Sequence, residues 1–134
     1  MSTPTPDRRE RALALLAQLD PHAPAKVTAN LDALSDDFIE LVLGFAFADV
    51  VSRPGIDLRV REMLTVAALM AMGNAPGQLE FHIRAALNVG VSREEIIEIL
   101  LQIAVYAGVP ACMNGISAAK KALATPAECH SDQQ

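Results

Sequence analysis

From residue 10 to residue 124 the apolar residues recur at spacings of three and four, and nowhere do they alternate over the length of a strand. That is the period of an amphipathic helix, so the chain reads as all-α, a bundle of about six helices with short connections. The stretch QLEFHIRAALNVG shows the pattern plainly: Leu79, Ile83, Ala86, Leu87 and Gly90 share one helical face. His82 interrupts that stripe with an ionisable ring.

Punctuation divides the pattern. ERALALLAQLD, 10–20, reads as a helix that Pro21 and Pro24 end. Ser35, followed by Asp36 and Asp37, reads as the N-cap of a helix running to about Val51. SRPGID is a turn, with Asp57 capping the next helix, and Gly73 closes that helix at its C′ position. NAPG, 74–77, connects to a helix over 78–89. Ser92-Arg93-Glu94-Glu95 is a capping box, in which the hydroxyl and the carboxylate satisfy each other's backbone N–H. The run Tyr106–Pro110 breaks that helix, and Pro110 suits the start of the last one, where Lys120 and Lys121 complement the dipole.

A chain of 134 residues reads as one domain, spanning 8–124, with flexible ends at 1–7 and 125–134. Hydrophobic residues make up 51% and aromatic ones only 4%, so aliphatic side chains fill the core. With charged residues at 20% and mean hydropathy at +0.27, there is more apolar surface than a small monomer tolerates, which points to subunit interfaces. The net charge of −5 and the lack of a basic stripe argue against nucleic acid or an anionic membrane as partner. MLTVAALMAM, the longest apolar run, is about half of what crossing a bilayer needs. The start, MSTPTPDRRE, has no signal-peptide core, so a cytoplasmic location is expected. Cys112 and Cys129 form no C-x-x-C and read as unpaired thiols.

Few residues can carry chemistry. Glu62 precedes the helix of Glu80 and His82, and Tyr106 ends the helix after it. Short connections make these helices neighbours, so the side chains can meet at one end of the bundle. A histidine and a carboxylate in an apolar cleft form a general acid–base arrangement. Plainer readings stand beside this one. His82 can be a hydrogen-bonded core residue, Glu80 and Arg84 a surface i,i+4 pair, Glu62 a helix-start charge, and Tyr106 or Asn114 ordinary packing. Phosphate loops, G-x-S-x-G and H-E-x-x-H are missing, and one central histidine with scattered carboxylates does not suit a metal. An enzyme built on these residues works without metal or cofactor.

From Arg53 to Lys120 the chain resembles the carboxymuconolactone decarboxylase family. R-P-G-x-D-x-R-x-R-E, H-x-x-x-A-L-N-x-G and Y-A-G-x-P occur in the family's order and spacing. One branch, the AhpD-type disulfide reductases, uses a C-x-x-C ahead of the histidine. Ala75 and Gln78 occupy those two positions here, so dithiol chemistry does not carry over. The resemblance implies an AhpD-like helical fold, a homo-oligomer (trimer or hexamer), and a cofactor-free decarboxylation of 4-carboxymuconolactone or a related unsaturated lactone acid in aromatic catabolism.

In that reading His82 donates or shuttles the proton and Glu62 orients it. Arg53, Arg61, Arg84, Tyr106 and Asn114 are candidates for holding the small carboxylate substrate. Three other readings compete: a different proton-transfer enzyme of the same fold, an antioxidant accessory protein using Cys112 as a lone thiol, and a non-catalytic oligomeric module.

Overall fold

The structure, a computed structural model, describes residues 7–124. The expectations of a loose start and a frayed tail, and the position of Cys129, lie outside the described residues, apart from Asp7. That residue is ordered as the N-cap of the first helix, its carboxylate accepting from the Glu10 N–H at 2.7 Å.

Among the described residues there are seven helices and no strands: α1 (Arg8–Leu19), α2 (Ala23–Leu34), a π-helix (Ile39–Val51), α3 (Leu58–Met72), α4 (Pro76–Asn88), α5 (Arg93–Ala107) and α6 (Val109–Leu123). The all-α expectation holds. The extra helix is α2. Pro24 does not end a helix there but sits in the first turn of one, where its missing N–H has no intrahelical partner to lose.

That shifts the role of Ser35. It closes α2, its N–H donating to the Leu31 carbonyl at 2.9 Å, instead of capping the helix that follows. The helix it was expected to cap starts later, at Ile39, and winds wide: the Ser52 N–H reaches five residues back to the Phe47 carbonyl at 3.0 Å.

The chain divides into two compact units, residues 1–61 and 62–134. In the first, α1 packs against the π-helix and buries Leu15, Leu16 and Leu19. The Arg8 side chain crosses over Gly44, where a Cβ would lie 3.0 Å from it, and its guanidinium meets the Asp49 carboxylate at 2.7 Å. Arg9 forms a two-pronged pair with Asp32, at 3.0 and 2.7 Å, tying α1 to α2. Asp57 caps α3 as expected, accepting from the Val60 N–H at 2.8 Å.

In the second unit α6 packs against both α4 and α5. Val66 and Met70 of α3, Ile83 of α4, Ile96 and Leu100 of α5, and Ala118 of α6 share one core. Gly115 permits the close approach of α6. A Cβ there would lie 2.7 Å from both Leu100 Cδ2 and Met70 Cε. The turn from α4 into α5 is held by two motifs in sequence. Gly90, at φ 101°, donates to the Leu87 carbonyl, and Val91 donates to Ala86 at 2.9 Å while burying its own side chain, which completes a Schellman closure. Ser92 and Glu95 then form the full capping box. Together they fix where α4 ends and α5 begins.

Candidate active site

His82 and Glu62 meet. The ring Nδ1 lies 2.8 Å from Glu62 Oε2, and both residues are buried, at 8% and 1% exposure. Helical phase explains the placement. His82 follows buried Leu79 by one turn and precedes buried Ala86 by another, so its ring is drawn to the inner edge of α4. Glu62 precedes buried Val66 and Met70 on the inner line of α3. The ring of Phe81 lies edge-on to the imidazole, with centroids 5.0 Å apart and planes at 86°. An ionised carboxylate only accepts, so with Glu62 ionised the shared hydrogen is the one on Nδ1. That leaves Nε2 as the nitrogen able to pick up a proton and hand it on.

Glu80 and Arg84 form an ion pair on α4, and the Arg84 guanidinium also donates to the Lys121 carbonyl at 3.4 Å. Arg84 is therefore engaged by a side chain and by the end of α6. Tyr106 stands 81% exposed at the end of α5. Arg53 and Arg61 belong to the first unit, where the Arg61 guanidinium donates to the Arg53 carbonyl at 3.2 Å. Cys112 is half-buried in the first turn of α6.

Asn114 lies elsewhere in the second unit, on a cleft of about 390 Å3 that the end of α3, the start of α4 and one side of α6 enclose. Glu80 lines the same cleft, as do Ser117 and Lys121, and His82 does not. Sequence reasoning missed the last two. Lys121 had only a dipole-compensating role in the sequence, and no spacing rule connects it to Glu80. Among the described residues there is no cluster of three or more metal-ligating side chains, and no helix is long and apolar enough to cross a membrane.

Comparison with known proteins gives these residues a setting. The chain is 39% identical, over 82 residues, to a 4-carboxymuconolactone decarboxylase of Acinetobacter baylyi; the match covers 61% of this chain and 60% of that protein. It is 36% identical over 84 residues to a nitrosuccinic acid decarboxylase of Metarhizium robertsii, covering 63% and 58%. Over 110 residues it is 30% identical to an uncharacterized 15.0 kDa protein in the nqo9-nqo10 intergenic region of Paracoccus denitrificans, covering 81% and 77%. The chain thus spans about three-fifths of the two relatives whose names state an activity. Residues 36–121, which hold the buried pair, the cleft, the Asp57 cap of α3 and the capping box of α5, match the family as a whole, and the chain belongs to the carboxymuconolactone decarboxylase family.

Proposed function

We propose that this chain is a cofactor-free decarboxylase of 4-carboxymuconolactone or a closely related unsaturated lactone acid, and that it works as a homo-oligomer. The observation that carries the reading is the buried hydrogen bond between His82 Nδ1 and Glu62. Its support from relatives is that two similar proteins bear the names of decarboxylases.

The chemistry needs little machinery. The bond from the ring carbon to the carboxylate carbon breaks, CO2 leaves, and the electron pair passes into the conjugated lactone. The resulting enolate takes a proton at carbon from the imidazolium of His82, through Nε2. Glu62 holds Nδ1–H and stabilises the charged ring, and solvent restores the proton before the next turnover. One proton is consumed for each CO2 released, and no electrons are gained or lost. Nitrosuccinic acid satisfies the same demand, because its nitro group accepts the electron pair of a departing neighbouring carboxylate. The substrate class is therefore an acid whose carboxylate sits next to an electron-accepting group.

The test follows 4-carboxymuconolactone by its ultraviolet absorbance, with nitrosuccinate run in parallel by CO2 release. Wild type and His82→Gln are compared. Wild type is expected to turn over the lactone, and His82→Gln to lose roughly 10²–10⁴-fold in kcat, the usual worth of a positioned acid–base group. A folded wild-type protein inert towards both acids would remove the reading. Equal rates in the two proteins would remove His82 from the chemistry.

A further inference from the structure

His82 does not line the cleft beside α4, which combines apolar and polar side chains. Its floor is apolar, formed by Leu69, Leu79 and Ala118. Four polar side chains rise from its walls. Glu80 would repel an anion, but Arg84 neutralises it. Ser117 spends its hydroxyl hydrogen on the Met113 carbonyl at 3.3 Å. That leaves the Asn114 amide and the Lys121 ammonium, which make no side-chain hydrogen bond or ion pair among the described residues. With Glu80 and Arg84 cancelling, the cleft carries a net positive charge in a chain whose net charge is −5. Its volume, about 390 Å3, lies within the range of small-molecule sites.

We propose that this cleft binds a small organic carboxylate, with Lys121 as counter-ion, Asn114 as second donor, and the apolar floor receiving the carbon chain. A compact inorganic anion would forfeit the floor. A neutral hydrocarbon would leave the ammonium without a partner. A short carboxylic acid with an apolar body uses both.

The geometry supplies its own control. Gly77 lines the cleft, and a Cβ added there meets nothing within 4 Å, so a larger side chain fits at the cleft's edge without a clash. The probe is adipate, a stable six-carbon dicarboxylate, titrated calorimetrically into the full chain at low salt. Wild type should bind it. Lys121→Gln should weaken binding roughly tenfold to a hundredfold, the worth of a charge-assisted hydrogen bond. Lys121→Arg should restore most of the affinity, and Gly77→Leu should abolish binding while circular dichroism stays unchanged. Absence of wild-type binding at millimolar adipate overturns the proposal. So does affinity that neither Lys121→Gln nor Gly77→Leu changes. The readout is binding without turnover, so it stands or falls apart from the proposed decarboxylation.

Discussion

Glu62 places a carboxylate where only 1% of the residue reaches solvent, and a charge in that position requires a partner. His82 supplies it through Nδ1. Replacing His82 with leucine fills the space and removes the donor, so the carboxylate is stranded. The expected cost is about 3 kcal/mol of unfolding free energy at neutral pH, read by urea denaturation. His82→Gln keeps an N–H of similar reach and is expected to lose less. Equal stability of both variants and wild type would mean that the pair contributes nothing to the fold. The sequence exposes His82 because a ring interrupts an apolar stripe. It exposes Glu62 only as one of several carboxylates, since nothing in the spacing says that α3 turns its first inward residue towards α4. Arg84 misleads for a related reason. A surface arginine resembles an anion clamp until the Lys121 carbonyl, thirty-seven residues away in the chain, is seen to accept from it.

At the scale of elements, ends were more legible than interiors. The capping box at Ser92, the cap at Asp57 and the glycine closures at Gly73 and Gly90 each rest on a local rule, and each stands where its residues indicate. The π-helix was not legible. FIELVLGFAFADVV is apolar almost all round, so it has no polar face from which to read a period. The approach of α6 to α3 and α5 was hidden as well, because a glycine inside a helix does not announce what lies above it. Gly115→Val should cost about 1–3 kcal/mol, since its side chain must displace Leu100 and Met70 in a packed core. A thermal melt compared with Gly77→Ala, where the added Cβ meets open space, tests this directly. Between α1 and α2 the bond is electrostatic. The hydrogen bonds from Arg9 hold the Asp32 carboxyl below its usual range. The unfolded chain therefore takes up this proton first, so the stabilisation is complete above the ordinary aspartate range and fades as pH falls through the lowered folded value. In melts taken at successively lower pH, Asp32→Asn should flatten the acid limb, and an unchanged limb would show the pair to be inert.

For the whole molecule, the surface decides what composition only suggested. The apolar face expected on α5 divides: Ile96 and Leu100 enter the core, whereas Ile97, Leu101 and Val105, spaced four apart on the same helix, stay outside. Val109 and Met113 of α6 are exposed as well, and Val105 is 75% exposed. A monomer rarely leaves so many large aliphatic side chains in water along one hairpin, and closed assemblies of identical chains are the usual way to cover them. Sedimentation of the 14.3 kDa chain is expected to give the mass of a trimer or hexamer. Charging these exposed positions with Val105→Glu and Met113→Glu should shift that mass towards a single chain while helical content is retained, because neither residue contributes to the core of its own unit. A wild-type monomer at micromolar concentration rules the assembly out. An oligomer indifferent to both charges moves the interface off this hairpin, and the same pair of variants, assayed for decarboxylation, then shows whether the His82–Glu62 pair works in a single chain.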